Sequence, residues 1–154
     1  AMVGDLKYGR TVRSLAYLLA KYRDVKLYFV SPLVCRMEID IKEHLDENGV
    51  WWAEETDFNK VLPIVDCVYM TRIQKERFNV MEDYATAAGT YVLTSDNVQL
   101  MKKESIVMHP LPRVDEISTE VDADPRAKYF EQAKNGLYIR MALLALLLGV
   151  WPET

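Results

Sequence analysis

The residues Ser105-Ile106-Val107-Met108-His109-Pro110-Leu111-Pro112 form the stretch from which the fold is predicted. Its apolar half has the composition of a buried strand, and the two prolines prevent that strand from continuing. Two other stretches, residues 4–11 and 71–77, also follow short apolar runs and carry the cations. If the sheet is parallel, all three stretches lie at its carboxyl edge, where open α/β sheets bind ligands.

The rest of the chain alternates short strands with helices. Strands are predicted at Val3 and at residues 26–30, 50–53, 66–70, 91–93 and 106–108. Helices are predicted at residues 11–22, 38–47, 57–65, 95–103 and 129–149, with Asp57 and Ser95 as N-caps, and a loop plus a helix is predicted at residues 78–88. Five or six such alternations with short connections predict an α/β fold, a mostly parallel sheet with helices on both faces in a Rossmann-like three-layer sandwich.

Length and composition predict one compact domain that binds neither membranes nor nucleic acid. The 154 residues are 50% hydrophobic and 27% charged, with a net charge of −4 that argues against general nucleic-acid binding. No apolar run reaches the roughly 18 residues of a membrane span, and no signal peptide is visible. Cys35 and Cys67 lack metal-ligand spacing, so we expect reduced packing cysteines and a cytoplasmic location.

The final predicted helix, at about residues 129–149, is apolar nearly all round. Its second half contains Met141 and five leucines within residues 143–148. A helix of this kind is buried on more than one side. We therefore expect it to need a partner beyond its own sheet.

Residues 4–11 nearly spell a nucleotide-binding P-loop, but Arg10 stands where that motif has Lys. Arg offers a planar fork suited to a carboxylate, whereas Lys acts as a compact charge between phosphates. Backbone N–H groups at the start of the helix from Thr11, with Arg10 beside them, predict an anion site. The alternative is a glycine turn with a solvated arginine.

Arg72 directly follows a predicted strand, so its side chain is expected to project from the sheet edge. Gln74 can reach the same space as a neutral donor, and Glu76 is spaced to hold the Arg72 guanidinium. An ordinary charged helix start is the alternative. Together with Arg10, two guanidinium groups in one cleft of an acidic protein predict a ligand with two anionic groups.

His109 is more typical of a structural histidine bonded to backbone than of a general base. The prolines on either side of Leu111 either simply end the strand or free the Leu111 carbonyl to accept a hydrogen bond from a ligand amine. An X-Pro bond in such a turn is a candidate for cis geometry. Arg113, Asp115 and Glu116 are predicted to support the turn as an ion-paired group.

Together, the three stretches resemble the aspartate carbamoyltransferase family, whose members make N-carbamoyl-L-aspartate for pyrimidine synthesis. The resemblance is carried by Gly4-Asp5-Leu6-Lys7-Tyr8-Gly9-Arg10-Thr11, Thr71-Arg72-Ile73-Gln74-Lys75-Glu76-Arg77 and His109-Pro110-Leu111-Pro112-Arg113. It covers essentially the whole chain in the family's order. It implies an aspartate-binding domain at residues 1–154, whose last helix packs on a carbamoyl-phosphate domain that this chain lacks.

The resemblance also implies roles for the two cationic stretches. Arg10 binds an aspartate carboxylate with Thr11 adjacent, while Arg72 and Gln74 bind the side-chain carboxylate. Glu76 orients Arg72.

For the turn, the resemblance implies that the Leu111 backbone holds the α-amino group and that Pro112 supplies a cis bond. His109 and Pro110 support it. The ornithine-using sister enzymes are similar in fold but carry Cys where Pro110 stands and lack the Thr-Arg-x-Gln pattern, so aspartate is expected.

The implied reaction is attack of the aspartate amine on the carbonyl carbon of carbamoyl phosphate, followed by loss of phosphate. The resemblance implies no metal or organic cofactor, and a parent enzyme based on a homotrimer built mainly through the absent half. This chain alone is therefore expected to be inactive. The alternative is a stand-alone dicarboxylate-binding or anion-binding regulatory module without catalysis.

Overall fold

A computed structural model describes residues 1–150 of the chain, so residues 151–154 of the predicted domain lie outside the described part. The described part contains one sheet with the strand order β3-β2-β1-β4-β5. All of its pairings are parallel. The strands are β1 (Met2–Val3), β2 (Lys26–Val30), β3 (Trp51–Glu55), β4 (Cys67–Met70) and β5 (Ile106–Met108).

The predicted strand at residues 91–93 is wrong. Only Leu93 forms a bridge there, and it pairs with Ile117 instead of with a strand of the sheet. The Leu93 N–H donates to the Glu116 carbonyl and the Ser118 N–H donates to the Leu93 carbonyl. Leu93 is therefore buried against the loop that follows β5.

Helices fill the connections between strands. They are α1 (Arg10–Leu19), α2 (Ile39–Glu47), α3 (Phe58–Val61), α4 (Met81–Ala87), α5 (Ser95–Val98) and α6 (Tyr129–Leu148). Short 3₁₀ helices occur at Leu33–Cys35, Lys75–Arg77 and Thr119–Ala123.

The cap of α5 is one residue earlier than predicted. Thr94 rather than Ser95 closes the helix start, because its hydroxyl accepts from the Asn97 N–H at 3.3 Å and the Asn97 side chain accepts from the Thr94 N–H at 2.7 Å. The helix is also much shorter than the predicted residues 95–103. The predicted cap at Asp57 is confirmed by its bond with the Asn59 N–H at 3.1 Å.

Alternating side chains along the strands build a core on each face of the sheet. Met2, Phe29 and Tyr69 are aligned across three strands and pack in a core that also contains residues of α1 and α2. The next residues of β1 and β2, Val3 and Val30, pack in a second core that contains residues of α3 and α5. The predicted three-layer α/β sandwich is thereby confirmed.

Helix α6 leaves most of its apolar surface exposed. Tyr129 is buried at its start, but Leu147 near its end is 81% exposed. No helix within residues 1–150 is both long enough and apolar enough to cross a membrane.

The ends of β1 and β4 are joined tightly where each strand leaves the sheet. The Thr71 N–H and its hydroxyl both donate to the Val3 carbonyl, at 2.9 Å each, and the Asp5 N–H donates to the Thr71 hydroxyl at 3.1 Å. Gly4 has φ +109°, and a Cβ at this position would lie 2.3 Å from the Thr71 carbonyl oxygen. Glycine is therefore required at this junction.

Candidate functional site

A cleft of about 220 Å³ lies at the carboxyl edge of the sheet. The strand order reverses between β1 and β4, which is where open parallel sheets bind ligands. The cleft is lined by Asp5, Gly9, Arg10, Thr11, Thr71, Arg72, Gln74, Arg77, His109, Pro110, Leu111 and Pro112. The structure thus brings together every predicted site residue except Glu76, which contacts Arg72 from outside the lining.

Arg10 stands at the first turn of α1, directly after the N-cap Gly9. A Cβ on Gly9 would lie 2.4 Å from the Asp5 carbonyl oxygen, so the chain can approach the helix start this closely only with glycine. The first turn contains no acidic residue. Free helical N–H groups beside an exposed guanidinium make this helix start attractive to an anion.

Arg72 and Gln74 share one carboxylate neighbour. Glu76 Oε1 lies 3.6 Å from Arg72 Nη2 and accepts a hydrogen bond from Gln74 Nε2 at 3.2 Å. Because the Glu76 side chain is 65% exposed, this ion pair is weak and leaves the guanidinium donors largely available. Arg72 therefore retains N–H groups that can bind a second carboxylate in the cleft.

The turn after β5 is organised around the His109 side chain. The Leu111 N–H donates to His109 Nδ1 at 2.8 Å, and His109 Nε2 lies 2.7 Å from Glu116 Oε1. Since Nδ1 accepts, the ring proton is on Nε2 and is donated to the Glu116 carboxylate. His109 is thus a structural histidine bonded to backbone, as predicted.

The electrostatics of this turn keep Glu116 charged. Burial opposes its charge, but hydrogen bonds from His109 and from the Glu116 and Val114 N–H groups outweigh that effect and lower the pKa of Glu116. The Leu111–Pro112 peptide bond is cis, as predicted, and Leu111 has φ +46°. Within residues 1–150, the Leu111 carbonyl oxygen accepts no hydrogen bond.

Comparison with known proteins identifies the family. The model for "Aspartate/ornithine carbamoyltransferase, Asp/Orn binding domain" matches residues 1–147. The chain belongs to this family. It is 59% identical over 152 residues to the chloroplastic aspartate carbamoyltransferase of Arabidopsis thaliana, covering 98% of this chain and 39% of the relative.

Solved carbamoyltransferases share the fold. The catalytic subunit of M. jannaschii aspartate transcarbamoylase is 44% identical with a TM-score of 0.88, covering 96% of this chain and 49% of that one. The Trypanosoma cruzi enzyme in complex with carbamoyl phosphate and aspartate is 40% identical with a TM-score of 0.83, covering 93% of this chain and 48% of that one. The chain therefore spans about half the length of these solved relatives.

The predicted ion pairing of Arg113 in the turn after β5 is wrong. Arg113 does not pair with Asp115 or Glu116. It binds Asp122, with Nη2 2.6 Å from Oδ2, and it also donates to the Tyr129 hydroxyl at 3.1 Å. After Pro112 the chain passes beside the 3₁₀ helix that carries Asp122, while Glu116 is already bonded to His109.

Sequence reasoning missed two groups that line the cleft, the Asp5 carboxylate and its neighbour Arg77. Asp5 is fully buried, and one carboxylate oxygen accepts from the Tyr8 N–H at 2.9 Å. Its other oxygen has no hydrogen bond within the described residues and lies 3.9 Å from Arg77 Nη1. Burial raises the pKa of Asp5 above its ordinary value. The only sequence signal was its position within the glycine-bounded segment.

Proposed function

We propose that this chain is the L-aspartate-binding half of an aspartate carbamoyltransferase, an enzyme that transfers a carbamoyl group from carbamoyl phosphate to the amine of L-aspartate. The observation that carries the proposal is that Arg10 and Arg72 line one cleft of about 220 Å³. Two guanidinium groups suit a ligand with two carboxylates. The side-chain ammonium of ornithine, the other substrate of the family, would be repelled by them.

The relatives favour this enzyme over a stand-alone regulatory module. The Trypanosoma cruzi structures include complexes with carbamoyl phosphate and aspartate and with N-(phosphonacetyl)-L-aspartic acid. The curated relatives at 50–60% identity are named as carbamoyltransferases or as the multifunctional protein CAD.

In the proposed complex, Arg10 at the start of α1 binds one aspartate carboxylate, with Thr11 beside it. Arg72 and Gln74 bind the side-chain carboxylate. The Leu111 carbonyl, which accepts no other hydrogen bond within the described residues, accepts from the amine. Three contacts from three strand ends fix both the position and the direction of the nucleophile.

The reaction then requires only that the second substrate be held against this amine. The neutral amine donates its lone pair to the carbonyl carbon of carbamoyl phosphate, and a tetrahedral intermediate forms. The carbon–oxygen bond to phosphate breaks, and the departing phosphate accepts the proton that the attacking nitrogen loses. Orientation of the two reactants supplies a large part of the rate.

The carbamoyl-phosphate domain is the partner that we propose for α6. The chain covers 39% of the Arabidopsis relative, and α6 ends in exposed leucines. Burying that surface against a second domain would remove its contact with water. A relative from Vibrio campbellii, 50% identical, is named a catalytic subunit, which supports an oligomeric parent such as the predicted homotrimer.

Reconstitution tests the proposal. The chain alone is expected to form no carbamoyl aspartate, and mixing it with a separately produced carbamoyl-phosphate domain of the same enzyme is expected to restore the product. A chain carrying Leu147→Lys on α6 is the control for docking, since it leaves the cleft intact. If a verified complex makes no product, the regulatory module becomes the better account.

The cellular location is a separate part of the proposal. Plant relatives at 57–60% identity carry "chloroplastic" in their names, which favours an organelle over the predicted cytoplasm. A fluorescent fusion of the full-length reading frame in its native cell distinguishes the two.

A further inference from the structure

Leu111 adopts a backbone conformation that its side chain disfavours. Its φ of +46° lies in the left-handed region, where a residue with a Cβ is uncommon. A residue is kept in such a conformation only when its surroundings hold it there. Leu111 is also the residue whose carbonyl is proposed above to bind the amine.

The group that holds Leu111 is the His109 ring. This side chain is only 1% exposed, and its Nδ1 accepts the Leu111 N–H at 2.8 Å. The hydrogen bond fixes the plane of the peptide group between Pro110 and Leu111, and so the point from which the Leu111 carbonyl extends.

The ring is also held at its other nitrogen, and the His109 backbone is held at its N–H. Its Nε2 lies 2.7 Å from Glu116 Oε1, and the other Glu116 oxygen accepts from the Val114 N–H at 3.2 Å. The His109 N–H donates to the Gln132 side chain on α6 at 3.0 Å. Both ring nitrogens are therefore engaged, and rotation of the imidazole away from Leu111 would break both contacts.

We infer that His109 is a positioning residue for the nucleophile, acting through its Nδ1 bond to the Leu111 N–H to aim the Leu111 carbonyl at the substrate amine. This inference rests on the proposed function. It makes a specific prediction. Loss of the Nδ1 acceptor should misplace the substrate amine and slow its attack, while the contacts to the two substrate carboxylates should be unaffected.

Two substitutions in the complete enzyme distinguish the contribution of the Nδ1 bond from that of the Nε2 bond. In His109→Asn the side-chain oxygen occupies a place near Nδ1 and can still accept from Leu111, but the link to Glu116 is lost. In His109→Gln the amide reaches the place of Nε2 and keeps the link to Glu116, but the acceptor for Leu111 is lost. The two variants are otherwise similar in polarity.

The readouts are kcat at saturating substrates and the binding of succinate, which is aspartate without its amine, in the presence of carbamoyl phosphate. His109→Gln is expected to lower kcat by roughly 30- to 100-fold, the scale of a misplaced reactant, while succinate affinity changes less than about twofold. His109→Asn is expected to regain most of the rate, to within about fivefold of wild type.

Parallel losses of kcat and succinate binding, or equal rates in the two variants, overturn the inference and leave His109 as part of the fold alone. If His109→Gln does not fold, His109→Ala takes its place in the comparison. Failure of all three variants to fold also assigns a purely structural role. A wild-type complete enzyme that makes no carbamoyl aspartate overturns the proposed function itself.

Discussion

Replacing Arg72 with alanine in the complete enzyme tests the assigned carboxylate contact most directly. The guanidinium borders the cleft and is held by Glu76 only through a largely exposed ion pair at 3.6 Å. Hydrogen bonds to charged groups contribute about 1.5–3 kcal/mol each. Two such bonds at the lower end give about 3 kcal/mol, so kcat/KM for aspartate is expected to fall roughly 100-fold.

The assay measures initial rates of carbamoyl aspartate formation while each substrate is varied at saturating levels of the other. The affinity for carbamoyl phosphate should change little, since Arg72 is assigned to aspartate. Thermal stability should also change little, because exposed ion pairs contribute only about 0–1 kcal/mol. Arg23→Ala, an exposed arginine away from the cleft, is the matched control. Equal losses for the two substrates would refute the assigned role.

Three further predictions concern the isolated chain. Thr94→Ala should cost about 1 kcal/mol of unfolding free energy in urea titrations, whereas Ser95→Ala, at the cap position predicted from sequence, should cost much less; equal costs would contradict the assigned cap. The Arg126 guanidinium lowers the pKa of Asp124, so its stabilisation is present above the ordinary value of 3.8 and is lost as pH falls through the lowered pKa. Asp124→Asn should therefore lower the urea midpoint near pH 7, and the difference from wild type should shrink as pH falls below 3.8 and through the lowered pKa; a pH-independent difference would oppose this assignment. Leu147→Lys should reduce self-association measured by light scattering, because this 81% exposed leucine favours contact between copies; unchanged association would place the contact elsewhere.

The arrangement of the sheet could be predicted because the strand patterns are local. Residues 26–30 combine apolar and aromatic residues before Ser31-Pro32, and β2 has these bounds. Parallel strands must end at one edge, so the convergence of Arg10 and Arg72 followed from the order of elements alone. The site could therefore be predicted from sequence where the relevant side chain lies in the loop or helix start that follows a strand.

The predictions that were wrong or missing concern the path of the chain after it leaves the sheet. Residues near 91–93 have strand composition but pair with the loop at Ile117, which no local pattern indicates. Arg113 binds Asp122 nine residues away, because the intervening turn carries Glu116 towards His109 instead. The buried carboxylate of Asp5 was missed for the same reason, since its burial arises from the folded loop and not from its neighbours in sequence.

The close junction of Gly4 with Thr71 has a consequence for substrate selectivity. The loops that carry Arg10 and Arg72 begin at two strand ends that are hydrogen-bonded to each other, so their separation is set by backbone packing and the Thr71 hydroxyl and not by the side chains at the rim of the cleft. A homologue of aspartate with one more methylene could not be admitted by moving these loops apart. Substitutions at the surface of the cleft would leave the distance between the two loops unchanged. Binding a ligand of a different length would require different side chains at the rim or a different pairing of the central strands.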